Sequence, residues 1–252
     1  MPAPIALQLY SIRDQLANGF EPVLRQLADM GYVGVEPAGF PGTTPEQAAQ
    51  LFKRLGLQVC SAHTGLPLGE EKNRVLDMAK ALGITRIVSG KGPDDFKTVD
   101  LIKKTCDLFN QSAQVAQANG LTFSIHNHWW EFELLAGKPV YKYMLDYLDQ
   151  SVLFEVDVYW VTTAGANPAA ILTELGSRAP LLHIKDGPCV KGQPMTAVGA
   201  GKVDVPAVVK ASAQTAEWMI VELDSCATDM LAAVKQSYDY LVSQRLARGN
   251  KG

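Results

Sequence analysis

Short apolar segments alternate with longer amphipathic segments along the whole chain. The short segments are predicted to be β-strands, and several are apolar without interruption, as strands buried on both faces are. Eight of them can be counted: residues 5–9, 34–36, 58–62, 86–89, 122–126, 153–157, 181–185 and 219–222.

The segments between these strands are predicted to be helices. Residues 21–30 place Val23, Leu24, Leu27 and Met30 on one face, and Thr44 is placed as an N-cap before a proline. Alternation of strands and helices implies a parallel sheet with helical crossovers. Eight units in 252 residues predict an α/β fold, a single-domain (β/α)8 TIM barrel over residues 1–252.

Composition narrows the range of partners. The net charge of -3 argues against binding to a nucleic-acid backbone, which requires a basic face. We find no apolar run of membrane-spanning length and no signal peptide, so no membrane partner is expected. The four cysteines form no metal-binding spacing, which suggests a reduced, cytoplasmic protein. The oligomeric state stays open, and a homo-oligomer is compatible with the sequence.

Polar residues that can do chemistry follow nearly every predicted strand. Because the carboxyl ends of TIM-barrel strands form the active site, these residues are expected to converge. All four histidines are among them, and none lies in a predicted helix. The set comprises Glu36, His63, His126, His128, Glu131, Asp157, His183, Lys185 and Glu222.

Three consecutive strands supply residues typical of a metal centre. Asp157, His183 and Glu222 offer two carboxylates and one imidazole, a set that suits one divalent ion such as Mn²⁺, Co²⁺, Zn²⁺, Fe²⁺ or Mg²⁺. A fourth ligand is expected from the fifth strand, at Glu131 or His126. One position would stay open for substrate oxygens.

Other residues are assigned to the substrate. Lys185, two residues beyond His183, should share its inward face and neutralise an oxyanion. Glu36, His63, His128 and Trp160 are predicted substrate contacts, although the tryptophans fit packing at the barrel rim equally well. The segment Ser89-Gly90-Lys91-Gly92 is interpreted as a turn rather than a phosphate site.

The chain resembles the sugar phosphate isomerase/epimerase superfamily, the xylose isomerase-like TIM barrels. The matching segments cover residues 7–13, 126–132, 157–160 and 183–186. The resemblance implies metal ligands Glu, Asp, His and Glu on strands five to eight, and Asp157, His183 and Glu222 match the last three. It also implies a sugar or polyol substrate, carbohydrate metabolism, and proton abstraction next to a carbonyl through a metal-stabilised enolate.

The fifth strand departs from the family pattern. His126 replaces the expected glutamate in a His-x-His motif, so Glu222 is the only member left of the two glutamates that shuttle a proton in ketose epimerases. This motif is similar to the one in inosose dehydratases and in lyases that act on 3-keto-glycosides. His126 or His128 would then be the base, and Glu131 would either complete the metal shell or orient the histidine. The predicted catalytic residues are therefore His126, Glu131, Glu222 and Lys185.

Four functions are compatible with a barrel of this kind. The first is a metal-dependent sugar isomerase or epimerase, and its rival is a lyase or dehydratase of a keto-polyol or 3-keto-glycoside. A DNA-repair endonuclease on the same barrel would need more histidines and a basic face. A barrel without catalytic activity is disfavoured by the intact Asp157, His183 and Glu222 set.

Overall fold

The computed structural model of the chain describes residues 1–250, and its main sheet is a barrel of parallel strands. All eight predicted strands are found, with ends that differ by at most one residue. A short antiparallel hairpin, β7–β8, lies outside the barrel. The strands are β1 (Ile5–Gln8), β2 (Gly34–Glu36), β3 (Gln58–Val59), β4 (Ala62–His63), β5 (Arg86–Ser89), β6 (Thr122–His126), β7 (Leu134–Leu135), β8 (Lys138–Pro139), β9 (Val152–Asp157), β10 (Leu181–Ile184) and β11 (Trp218–Val221).

The third strand of the barrel is divided, which differs from the continuous strand predicted for residues 58–62. The sheet order is β3-β2-β1-β11-β10-β9-β6-β5-β4, so β3 pairs with β2 whereas β4 pairs with β5. Cys60 N–H still bonds to the Val35 carbonyl at 3.1 Å, which keeps the segment beside β2. The two pieces thus nearly close the barrel, and the prediction of a TIM barrel is confirmed.

Helices follow the strands and cover the outside of the barrel. They are α1 (Arg13–Asn18), α2 (Phe20–Met30), α3 (Pro45–Arg54), α4 (Glu71–Leu82), α5 (Val99–Ala118), α6 (Val140–Tyr147), α7 (Val158–Thr163), α8 (Pro168–Leu175), α9 (Val205–Ser212) and α10 (Met230–Ser243). The predicted N-cap of α3 is present, because Thr44 Oγ1 accepts the Gln47 N–H at 3.3 Å. Within residues 1–250, no helix has both the length and the apolar composition needed to cross a membrane.

The strands β1, β10 and β11 are buried along their whole length, which explains their uninterrupted apolar sequences. β1 ends at Gln8, one residue earlier than predicted. There the Gln8 side chain accepts the Tyr10 N–H at 3.0 Å and begins a 3₁₀ turn. This turn brings Gln8 and Tyr10 to the carboxyl face of the barrel, where the polar strand ends meet.

Asp186 organises the long loop that follows β10. Its two carboxylate oxygens accept backbone N–H groups of Gly187, Gly199, Gly201 and Val203 at 2.8 to 3.0 Å. The side chain is 1% exposed, so these bonds are shielded from water. A single carboxylate therefore fixes both ends of the loop between residues 187 and 203.

We expect Asp186→Ala to lower the free energy of unfolding by more than about 3 kcal/mol, because it leaves four backbone donors without their charged acceptor. Asp186→Asn keeps one acceptor oxygen and should cost less than the alanine variant. Urea unfolding monitored by circular dichroism measures both. An alanine variant within about 1 kcal/mol of the parent would contradict this role for Asp186.

Candidate active site and metal centre

The four histidines of the chain lie together at the carboxyl ends of the strands. The ring of His183 is stacked on that of His63, with centroids 5.2 Å apart and planes 6° apart. The ring of His126 lies 4.6 Å from that of His183 and 4.9 Å from that of His128. Strands distant in sequence thus bring the histidines into one cluster, as expected for a barrel of this type.

Four side chains form the first candidate metal site, which we call the Asp157 site: His126, Asp157, His183 and Glu222. One ligand atom from each lies within 4.8 Å of all the others, and all four residues are buried. The atoms are His126 Nε2, Asp157 Oδ2, His183 Nδ1 and Glu222 Oε2, and all four are buried. They contact one another and Lys185 Nζ, so two carboxylate oxygens and two imidazole nitrogens converge on one point, as they do around a bound cation.

Lys185 is the basic side chain beside the Asp157 site. Its Nζ lies 2.9 Å from Asp157 Oδ2 and 2.7 Å from Glu222 Oε2, and it donates hydrogen bonds to both carboxylate oxygens of Asp224. Burial acts to lower the pKa of Lys185, but the carboxylates of Asp157, Glu222 and Asp224 raise it well above its ordinary value. Lys185 is therefore a fixed positive charge at the edge of the site.

The other nitrogen of His183 contacts a second pair of carboxylates. His183 Nε2 lies 2.7 Å from Glu36 Oε2 and 3.1 Å from Glu155 Oε2. Glu36 also accepts hydrogen bonds from Gln8 Nε2 at 2.8 Å and Ser61 Oγ at 2.6 Å. Glu36 is 0% exposed, so this predicted substrate contact lies behind the cavity and holds His183.

Glu155 is not among the predicted site residues, although it lies beside Glu36 and His183. Its Oε2 is 2.6 Å from His63 Nε2, and burial together with the neighbouring Glu36 raises the pKa of Glu155 to about 7. Residues two apart on a strand share a face. Because Glu155 lies two residues before Asp157, its position on the strand is a sequence signal by which it could have been found.

Glu131 lies apart from the Asp157 site. It is 3% exposed and lines a small, largely apolar cavity with Phe109, Phe132 and Phe154. Its Oε2 accepts the His128 N–H at 2.9 Å, and burial raises the pKa of Glu131 to about 8. His126 and Glu131 were the two candidates for the fourth ligand. His126 lies in the Asp157 site, whereas Glu131 lies in the turn that follows β6.

Asn127 joins this turn to the sixth strand of the barrel. Asn127 Oδ1 accepts the Asp157 N–H at 2.9 Å, and Asn127 Nδ2 donates to the Asp157 carbonyl at 3.3 Å. Asp157 Oδ1 in turn accepts the Trp160 N–H at 2.9 Å and caps α7. These bonds leave Asp157 Oδ2 facing the site.

A cavity of about 760 Å³ opens above the histidine cluster. His63, His126, His128, Lys185 and Glu222 line it, as the predicted roles require. Trp130 also lines it and stacks on His128 with ring centroids 4.1 Å apart. Trp160, the predicted substrate contact, is 9% exposed and packs on Trp129 with centroids 4.7 Å apart. Since all three tryptophans follow strand ends, the sequence did not distinguish them.

Burial controls the protonation of the two histidines on β6 and its turn. It lowers the pKa of His126 well below the ordinary value and lowers the pKa of His128 to about 4. Both rings are therefore neutral at pH 7. A neutral imidazole has a lone pair that can bind a metal or accept a proton.

The family model of the xylose isomerase-like TIM barrel matches residues 24–244 of this chain. The chain belongs to the xylose isomerase-like TIM barrel family. No curated protein matches the sequence.

Several solved structures of this fold are similar to the chain. A sugar phosphate isomerase/epimerase from Parabacteroides distasonis is 27% identical, with a TM-score of 0.84 over 98% of this chain and 100% of that one. The probable 3-DHS dehydratase AsbF from Bacillus anthracis is 14% identical, with a TM-score of 0.76 over 96% and 99%. The IOLI protein with a bound zinc atom is also 14% identical, with a TM-score of 0.73 over 96% and 98%. The resemblance seen in the sequence is confirmed, and the family and its neighbours are enzymes.

The pKa of Glu131 leads to a prediction about pH. A carboxyl group whose folded pKa is raised to about 8 favours the folded state below its unfolded pKa, and this contribution is lost as the pH rises through 8. We expect Glu131→Gln, which stays neutral and keeps an acceptor for His128 N–H, to be more stable than the parent at pH 9 by a few kcal/mol. The two proteins should differ little at pH 5.

Urea unfolding at several pH values measures this difference. The same variant should keep any affinity for metal, whereas His126→Ala should lose it, because His126 belongs to the candidate metal site and Glu131 does not. If the Glu131→Gln variant no longer binds Mn²⁺, Glu131 rather than His126 is the fourth ligand.

Proposed function

We propose that the protein is a divalent-metal-dependent isomerase or epimerase of a sugar or sugar-like polyol. The reaction begins with removal of a proton next to a carbonyl group. The observation that carries the proposal is the convergence of four buried ligand atoms, from His126, Asp157, His183 and Glu222, beneath an open cavity.

The donor set supports a divalent ion of the first transition row or Mg²⁺. Two carboxylate oxygens and two imidazole nitrogens suit Mn²⁺, Fe²⁺, Co²⁺ and Zn²⁺ better than Mg²⁺, which prefers oxygen. When bound, such an ion would polarise the substrate carbonyl and stabilise the negative charge that develops on its oxygen.

The cavity suits a polar substrate with an apolar face. Tyr10 and Trp130 offer aromatic surfaces, while His63, Lys185 and Asp224 offer hydrogen-bonding groups. Sugars combine hydroxyl edges with C–H faces, and aromatic rings pack against such faces. A volume of about 760 Å³ falls within the usual range for small-molecule sites.

His128 is the residue best placed to take the proton. Its Nδ1 is buried without a hydrogen-bond partner, the ring lines the cavity, and burial keeps it neutral at pH 7 because its pKa is lowered to about 4. Trp130 stacks on this ring and Glu131 Oε2 accepts the His128 backbone N–H, so the imidazole is held in one orientation. Lys185 Nζ, a fixed positive charge on the cavity wall, stabilises the enolate oxygen.

The carbon atom and the face that receive the proton back determine which product forms. In an isomerase or epimerase, the proton is delivered to the neighbouring carbon or to the opposite face of the same carbon. Glu222, one of two carboxylates on the cavity wall with Asp224, is the group that we assign to this step. The contact between Lys185 Nζ and Glu222 Oε2 holds Glu222 in the cavity wall.

A lyase or dehydratase of a keto-polyol or 3-keto-glycoside is the second candidate. The observation that favours it is the histidine at position 126, where sugar epimerases of this fold are expected to carry a glutamate base. With Glu222 as the remaining carboxylate of that pair, loss of a β-substituent after proton removal needs one base and one acid rather than two equivalent bases.

Incubation with Mn²⁺ and a panel of ketoses and 3-keto-glycosides in D₂O tests both candidates. Deuterium at the carbon next to the carbonyl, with no loss of water or aglycone, supports the isomerase or epimerase. Elimination products detected by mass spectrometry support the lyase. Absence of both with every substrate, together with no metal bound at saturation, would refute the proposal.

His128→Gln separates the proposed base from the metal site. We expect it to reduce deuterium exchange by at least about 100-fold, the usual contribution of a general base, while the amount of bound metal stays unchanged. His126→Gln is the matched control at the neighbouring strand position, and it should lose metal as well as exchange.

A further inference from the structure

A second group of ligand atoms lies on the far side of His183, and we call it the Glu155 site: Glu36, His63, Glu155 and His183. Their ligand atoms also lie within 4.8 Å of one another. His63 Nε2 is 2.6 Å from Glu155 Oε2 and 3.5 Å from Glu36 Oε2. His183 Nε2 is 2.7 Å from Glu36 Oε2 and 3.1 Å from Glu155 Oε2.

These distances are close to those around a tetrahedral ion. Metal–ligand bonds of 2.0–2.2 Å place neighbouring ligand atoms about 3.4 Å apart. The four contacts of the Glu155 site run from 2.6 to 3.5 Å. Outward movements of less than an ångström by the two closest pairs would therefore admit an ion.

The site is buried but has an entrance. Glu36, Glu155 and His183 are 0% exposed, whereas the His63 side chain is 24% exposed and lines the cavity. Glu155 Oε1 is buried without a hydrogen-bond partner, although a buried carboxylate normally has every oxygen satisfied. An ion could reach the site from the cavity past His63 and would also take up the unpartnered carboxylate.

The balance of charge points the same way. Lys185 is shared by three carboxylates, those of Asp157, Glu222 and Asp224. One divalent ion at the Asp157 site, together with Lys185, would compensate those three negative charges. Glu36 and Glu155 are also buried and lie on the opposite side of His183 without such a cation, and an uncompensated buried charge is costly.

We propose that the Glu155 site binds a second divalent cation, with the His183 ring bridging the two ions through Nδ1 and Nε2. The bridging ring is an imidazolate, so its remaining proton is released to solvent when the second ion binds. The ligand set of two imidazoles and two carboxylates selects a first-row ion such as Zn²⁺, Mn²⁺ or Co²⁺. This inference rests on the proposed metal dependence, because the two sites share His183.

The alternative arrangement needs only protons. His183 Nε2–H would then donate to Glu36, as metal-bound histidines commonly donate to a carboxylate, and a proton on His63 or Glu155 would balance the remaining charge. The two arrangements predict different numbers of bound ions.

Metal counting tests the inference directly. The full chain, stripped with a chelator and dialysed against increasing Mn²⁺ or Zn²⁺, is analysed for bound metal by elemental analysis. We expect two equivalents at saturation, and spin coupling between two Mn²⁺ ions in electron paramagnetic resonance. Saturation at one equivalent would overturn the inference and leave the proposed function intact, whereas binding of no metal would overturn both.

Two variants assign the equivalents to their sites. His63→Gln should weaken the second equivalent by at least about tenfold and keep the first, while Asp157→Asn should lose the other equivalent. Glu155→Gln repeats the first test at a second ligand, in case His63→Gln fails to fold. If both His63→Gln and Glu155→Gln still bind two ions with parental affinity, the second ion lies elsewhere and the inference is wrong.

Discussion

Asp157→Asn is expected to lose one equivalent of bound metal and about three orders of magnitude in kcat/KM. The substitution replaces the ligand oxygen Oδ2 with an amide NH₂ group that cannot bind a cation. A loss of about 4 kcal/mol of transition-state stabilisation corresponds to this drop in rate. Metal analysis and steady-state kinetics in saturating Mn²⁺ measure the two effects.

The same substitution is a clean test because Asp157 has a second, structural role that asparagine preserves. Its Oδ1 accepts the Trp160 N–H and caps α7, and asparagine caps helices about as well as aspartate. Asp157→Ala removes the cap too, and should unfold about 1 kcal/mol more easily than Asp157→Asn. Asp146→Asn, at an exposed residue on α6, is the matched control. Full activity in Asp157→Asn would refute the metal site.

Lys185→Met is expected to lower the free energy of unfolding of the metal-free protein by about 3–5 kcal/mol at neutral pH. The methionine removes the positive charge that lies within 3.0 Å of Asp157, Glu222 and Asp224, and the three carboxylates then repel one another. Added Mn²⁺ should restore part of the loss, because a cation at the Asp157 site compensates two of them. Urea unfolding with and without Mn²⁺ measures this.

The pH dependence of the same variant has a definite sign. Lys185 and His183 hold the pKa of Glu222 well below its ordinary value despite its burial. The stability that Glu222 contributes is therefore present above its unfolded pKa and lost as the pH falls through the lowered folded pKa. The difference between parent and Lys185→Met should be largest near pH 7 and shrink toward pH 3. Lys97→Met, at an exposed ion pair with Asp94, should change stability by less than about 1 kcal/mol.

The barrel was predictable because its strands are apolar runs of the right length at regular spacing. The convergence of His63, His126, His183 and Glu222 followed from the same argument, since the carboxyl ends of parallel strands meet at one face. What the pattern could not show is the break at Cys60 and Ser61. Pairing partners on the two sides of a strand depend on barrel closure, which leaves no local mark in the sequence.

The choice among neighbouring polar residues was also beyond the sequence. Glu131 and His126 both follow the fifth strand, but the turn directs Glu131 toward Phe109 and Phe154 and leaves His126 at the ligand cluster. Trp130 and Trp160 likewise have similar sequence contexts, and packing alone places Trp130 on the cavity wall. Side-chain packing in three dimensions determines these positions. The periodicity of apolar residues and the composition of the sequence do not show it.

The fixation of the β10 loop by Asp186 has a consequence for remodelling the protein. Because the backbone N–H groups of Gly187, Gly199, Gly201 and Val203 all bond to one carboxylate, both ends of the intervening segment are fixed to the barrel. Cys189 to Gln193 extend outward from them and are partly or fully exposed. Replacement of those five residues by segments of other lengths should alter what surrounds the barrel mouth while the ligand geometry of His183 stays in register.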